Sequence, residues 1–226
     1  MSTATGFALR ADFDVREVVH LDDEPWVPSP APGVDRRMLD RVGEEVARAT
    51  TVVRYAPGSR FDSHTHSLGE EFFVLEGVFS DEHGHYPAGT YVRNPPGSSH
   101  APYTEHGCTI WVKLRQFDLR DTERVVINTR DADFVPGQVP GLTVLPLHSF
   151  EGEHVALVRW APGCRFVPHT HWGGEEILVL EGVFSDEHGH YPTGTWLRSP
   201  HLSRHAPYSE AGCLIYVKVG HLSPGS

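Results

Sequence analysis

Sixteen of the 226 residues are histidine, and six of them fall in a pattern that occurs twice. In the first copy Gly58 is followed by five residues, then His64-Thr65-His66, three residues, Glu70, six residues and Gly77. Further on, Gly89 is followed by five residues, Pro95, one residue, Gly97, two residues and His100. The second copy reads Gly163, His169-Thr170-His171, Glu175 and Gly182, then Gly194, Pro200 and His205. Residues i and i+2 of a strand point to one face, so His64 and His66 should project together. Residues 67–69 then turn the chain so that Glu70 can face the same interior, and His100 arrives from a separate hairpin beyond Pro95. Three imidazoles and one carboxylate make a mononuclear transition-metal site. The set suits Fe(II), Mn(II), Ni(II), Cu(II) or Zn(II), and not Ca(II) or Mg(II), which prefer oxygen ligands. One divalent ion is expected in each half, held by His64, His66, Glu70 and His100, and by His169, His171, Glu175 and His205. Alternation sends the neighbouring Glu71 and Glu176 to the opposite face.

The other candidate groups read more plainly. His83, His85, His188 and His190 flank a turn and are expected in an exposed loop. His20, His106, His148, His154 and His221 follow no pattern and are expected at the surface. His201 and Arg204 replace Pro96 and Ser99 of the first copy, so they are expected to line the second pocket or its rim. Cys108, Cys164 and Cys213 are an odd, widely spaced set with no Cys-x-x-Cys; they read as small buried hydrophobes, not a disulfide framework. No Ser-His-Asp or Cys-His pattern stands in a convincing context, so the chemistry would be metal-centred.

These residues must be positioned by a duplicated unit. The text LEGVFSDEHGHYPAGT at 75–90 returns as LEGVFSDEHGHYPTGT at 180–195. The offset holds without gaps from Arg54/Arg159 to Lys113/Lys218, and about two-thirds of the positions are identical. Upstream, Trp26-x-Pro28 matches Phe134-x-Pro136 and Pro32-Gly33-Val34 matches Pro140-Gly141-Leu142, so the first copy carries three extra residues before Arg54. Each copy alternates short Val/Ile/Phe/Tyr/Trp-rich segments with Gly, Pro and Asp, which predicts an all-β fold. Strands are expected at Thr51–Ala56, Glu71–Glu76, Thr90–Arg93 and Thr109–Leu114, with a hairpin turn over Ser80–Gly84. The helix-compatible run Val34–Ala49 has a strand-like counterpart in 142–156 and reads as strand plus turn. Many short strands at regular spacing fit a sandwich or barrel. The boundary between domains is expected near Asp118, giving 1–118 and 119–226. Residues 1–12 and 223–226 are expected to fray.

Composition narrows the partners. Nineteen Lys and Arg against thirty Asp and Glu leave a net charge of −11, which argues against nucleic acid and against an anionic membrane surface. No run of 18 apolar residues is present, and the first residues lack a secretory signal pattern, so the expected compartment is the cytoplasm. A small-molecule ligand or substrate is the expected partner. Exposed sheet edges leave room for a homodimer.

The two-part motif, with flanking text such as RYAPGSRFDSHTH at 54–66, resembles the cupin family. Within it the likeness is to the subgroup named for ChrR, a zinc-dependent anti-sigma factor, and covers nearly the whole chain. The resemblance implies two tandem jelly-roll barrels, a bicupin, with the eight residues above as ligands. Anti-sigma relatives add a helical zinc element with His-x3-Cys-x2-Cys. This sequence holds no Cys before Cys108, so binding of a sigma factor is not expected. Leu202 stands where the motif has Gly, as at Gly97. Single-cupin relatives imply a non-haem iron dioxygenase that cleaves a C–C bond in a small diketone or hydroxyketone. The alternative is a zinc-binding sensor that holds a small ligand and signals to a protein partner without catalysis.

Overall fold

The computed structural model describes residues 6–222. No helix among them is long and apolar enough to cross a membrane. They form short antiparallel strands with a single 3-10 turn at Leu21–Asp23. The architecture is all-β: two tandem barrels of the cupin, or jelly-roll, type.

In the first barrel the sheet runs, in spatial order, Ala8–Leu9, Val34–Val42, Arg48–Tyr55, Cys108–Leu114, Glu70–Asp81, Thr90–Asn94 and Val125–Asn128. The second repeats the plan with Val135–Pro136, Leu142–Phe150, Glu153–Trp160, Cys213–Val219, Glu175–Asp186, Thr195–Ser199 and Glu17–His20. The run 34–49 is therefore strand and turn, as its counterpart implied. Ser80–Gly84 spans the hairpin between Glu70–Asp81 and Gly84–Pro87. The upstream match also holds: Val27–Pro28 and Val135–Pro136 each pair with the first long strand of their own barrel. The first two long strands are joined by residues 43–47 in one barrel and by 151–152 in the other, so the three extra residues all fall in that turn.

The units draw a different line from the expected boundary at 118/119. One compact unit comprises Glu24–Ala132 with the described part of Met1–Ala11; the other comprises Asp12–Asp23 with the described part of Asp133–Ser226. The cause is strand pairing. Glu17–His20 adds to the second sheet beside Thr195–Ser199, and Val125–Asn128 adds to the first beside Thr90–Asn94. The N-terminal segment corrects a second expectation. Ala8 and Leu9 pair with Val42 and Arg41, whereas 1–5 and 223–226 lie outside the described residues.

Alternation explains the cores. Phe72 and Val74 point into the first barrel with Val53, Phe79, Val92, Ile110 and Val112; Ile177 and Val179 do so in the second with Trp160, Phe184, Leu197 and Ile215. Burying such side chains is worth about 1.5–3 kcal/mol each. The other face of the central strands is buried too, and it carries charge. Arg93 donates to Glu71 at 3.0 Å and also binds Asp121, while Lys113 donates to Thr50 Oγ1 at 2.9 Å. The three cysteines are buried thiols, none in a disulfide.

Candidate metal centres

Each motif folds into a two-stranded ladder that sets ligand against ligand. His64–Thr65 pairs antiparallel with Ser99–His100, and His64 lies directly opposite His100. His169 and His205 hold the same register in the second barrel. Ring centroids of His64, His66 and His100 lie 4.8–4.9 Å apart. Those of His169, His171 and His205 lie 4.6–4.9 Å apart. In each triad one nitrogen per ring lies within 4.8 Å of the others. The carboxylates sit at the start of the longest strand and complete the cage. Glu70 Oε2 is 3.5 Å from both His66 Nε2 and His100 Nε2. Glu175 reaches His171 Nε2 at 3.5 Å and His205 Nε2 at 3.6 Å. All eight expected ligands are thus brought together, four to a barrel. Glu71 and Glu176 face away, as alternation predicts. Glu71 accepts from Tyr91 Oη at 2.8 Å, and Glu176 from Trp196 Nε1 at 2.7 Å.

The outer ring nitrogens fix which atoms face the centre. His64 Nδ1 lies 3.2 Å from the Asp62 carbonyl, and His169 Nδ1 lies 3.0 Å from that of Val167. His100 Nδ1 meets Asp81 Oδ2 at 3.2 Å, and His205 Nδ1 meets Asp186 Oδ2 at 3.5 Å. An imidazole that donates through Nδ1 presents a bare lone pair at Nε2. The buried Nε2 atoms of His66 and His100 have no hydrogen-bond partner. His171 Nε2 and His205 Nε2 stand 3.0 Å apart. Converging lone pairs beside a carboxylate repel one another unless a cation lies among them, so the donors fit a divalent transition metal.

Electrostatics act differently on the individual ligands. Burial pushes the His66 imidazolium down despite Glu70, and burial with His205 and His169 takes His171 to about 3. Both rings are neutral, as a ligand must be. Burial raises Glu175 to about 7. Burial also opposes charge on His100 and His205, but the hydrogen bond to Asp81 or Asp186 and the nearby glutamates outweigh it and raise both.

These aspartates are the functional residues that motif spacing missed. Asp81 Oδ1 accepts from the His83 and Gly84 amides and from Tyr86 Oη at 2.9 Å, which locks the carboxylate against His100. Asp186 and Tyr191 repeat this at 2.7 Å. The Ala101 amide donates to Glu82 and the Ala206 amide to Glu187, tying each hairpin to the residue after its last ligand. The signal was the unbroken identity of 75–87 and 180–192, longer than a bare turn requires. His83, His85, His188 and His190 are exposed, as expected. His148 and the side chain of His221 are buried, contrary to expectation; His221 pairs with Glu176 at 3.0 Å. His201 accepts from the Gly173 amide at 2.9 Å and packs edge-on to the exposed Trp172, whereas Arg204 is exposed.

The barrel mouths differ. A cavity of about 470 Å³ opens onto the first cage, lined by Val46, Val53, Tyr55, Val112, Leu114 and Arg115 among others. Burial, then the charge of Glu70, holds the Tyr55 phenol well above its usual range, so it stays protonated. In the second barrel a Cβ at Gly220 would fall 1.9 Å from the Gly152 carbonyl, and one at Gly173 would fall 2.6 Å from Gly220 Cα. At these two glycines the neighbouring backbone lies too close for a side chain.

The family model described as ChrR Cupin-like domain matches residues 14–118 and again 122–223. No curated protein matches the sequence. Solved structures share the fold at low identity. A candidate dioxygenase from Nostoc punctiforme is 14% identical, with TM-score 0.77 over 92% of this chain and 84% of that one. Oxalate decarboxylase from Lactobacillus farciminis, as its formate complex, is 14% identical, with TM-score 0.59 over 91% and 86%. The pirin YhhW of Escherichia coli, in complex with nickel(II), is 13% identical, with TM-score 0.64 over 91% and 98%.

Proposed function

The chain belongs to the ChrR cupin-like family, in two copies, and from that premise we propose a mononuclear non-haem iron dioxygenase whose first barrel cleaves a C–C bond in a small diketone or hydroxyketone. One observation carries the reading. His64, His66, with its unpartnered Nε2, and Glu70 line a cavity large enough for a small organic molecule, whose other walls include Val53, Val112 and Leu114. His64, His66, Glu70 and His100 would hold the ion. When bound, Fe(II) would supply Lewis acidity and a place for O2 chemistry. Asp81 keeps His100 oriented through Nδ1. Val53, Val112 and Leu114 offer apolar contact to the substrate's carbon skeleton. Tyr55 retains its proton and can donate a hydrogen bond to a substrate oxygen.

The relatives lend two supports: one neighbour is a candidate dioxygenase, and another carries nickel. The test is anaerobic loading with Fe(II), then nitric oxide, then O2 uptake on pentane-2,4-dione. A nitrosyl signal with uptake that His100→Ala abolishes is expected. Tightly held zinc, no nitrosyl and no uptake on any diketone or hydroxyketone would favour the sensor instead.

A further inference from the structure

At the mouth of the first cavity one residue stands in a conformation its type avoids. Arg115 follows the strand Cys108–Leu114 with φ of 59°, the left-handed region that disfavours any residue with a Cβ. The equivalent position of the second repeat is Gly220, at φ 83°. The first barrel thus tolerates backbone strain to place a guanidinium where its twin places nothing. Strain of this kind persists only where the surrounding structure holds it in place.

The surroundings are arranged around that side chain. Glu45, Val46 and Ala47 of the longer turn 43–47 line the same cavity, where the second barrel has only the two-residue turn 151–152. The Arg115 amide donates to the Gly69 carbonyl at 3.0 Å, which anchors the residue next to the ligand Glu70. Its Nη1 donates to Ser67 Oγ, one residue from the ligand His66. Arg115 forms no ion pair among the described residues. Two carboxylates line the cavity with it. Glu70 faces the imidazoles, and Glu45 binds Arg36 Nη1 at 3.2 Å. A guanidinium in the wall of this cavity, with donors to spare and no carboxylate of its own, matches a planar anion.

We propose that the first barrel selects a substrate bearing a carboxylate, which Arg115 grips while the chelating oxygens and carbon chain lie deeper, toward the cage. The proposal rests on the diketone reading for the deeper half of the molecule: the substrate class becomes a small diketo or hydroxyketo acid. The second barrel, with Gly220, has no such preference.

The test is equilibrium binding, independent of turnover. The full chain is loaded with redox-inert zinc(II) and titrated calorimetrically with 2,4-dioxopentanoate and, separately, with its neutral methyl ester. The acid should bind the parent protein more tightly than the ester. Arg115→Gly, which restores the residue of the second repeat and relieves the strain, should fold normally and weaken the acid by about tenfold to a hundredfold. It should leave the ester within about twofold, and Arg115→Lys should recover part of the loss. Equal binding of acid and ester, acid binding unchanged in Arg115→Gly, or no binding of either would each overturn the proposal. An Arg115-dependent preference for the acid without any O2 uptake by the iron-loaded protein would keep this inference and remove the dioxygenase. Uptake on neutral diketones that ignores Arg115 would do the reverse.

Discussion

At the scale of single residues, each centre depends on what stands behind its ligands. Asp81 bonds His100 Nδ1 and is itself fixed by two amides and Tyr86. Asp81→Asn should weaken metal binding at the first site by about 10–100-fold and leave the second unchanged, as read by chelator competition. A first-site affinity unchanged from that of the parent protein would show that the aspartate orients nothing. Leu202 carries the turn before His205 at φ 62°, where the first repeat has Gly97 at φ 83°. The turn therefore survives the departure from the motif, but under strain. Leu202→Gly should stabilise the metal-free protein by about 0.5–1 kcal/mol net of the added chain entropy, visible as a rise in Tm. A fall in Tm would mean that contacts of Leu202 outweigh its backbone. The eight ligands were legible because their spacing encodes facing side chains. Arg115 was not, because the likeness between repeats ends at Lys113 and Lys218, and cavity walls leave no local pattern.

At the scale of elements, alternation identified the inward faces of the strands but not the fate of the outward ones. Glu71, sent by alternation to the opposite face, is buried there with Arg93 and Lys113, because hydrogen bonds to Tyr91, Asp121 and Thr50 satisfy them. Pairing partners were equally invisible. Glu17–His20 was expected to serve the first barrel, yet it extends the second sheet beside Thr195–Ser199, since short edge strands carry no register information beyond their pattern. Val19, buried in that pairing, gives the check. Val19→Asp should destabilise the second unit by about 2–4 kcal/mol and speed hydrogen exchange across Thr195–Ser199, with Thr90–Asn94 still protected. Loss of protection in the first barrel instead would reassign the strand.

At the scale of the whole molecule, duplication explains both the sameness and the division of labour. Ligands, supporting aspartates and hairpins recur together, while turn length and the residue at 115/220 differ. The first barrel has a side-chain-lined cavity at its centre, and the position of Arg115 is a glycine in the second. Each half thus carries its own separate cage of the same donors. The most direct measurement is elemental analysis of the reconstituted chain and its single-ligand variants. Two transition-metal ions per chain are expected from the two triads, with one left in His64→Ala or His100→Ala and one in His169→Ala. A chain that takes up no metal, or one in which His100→Ala empties both barrels, would contradict that expectation.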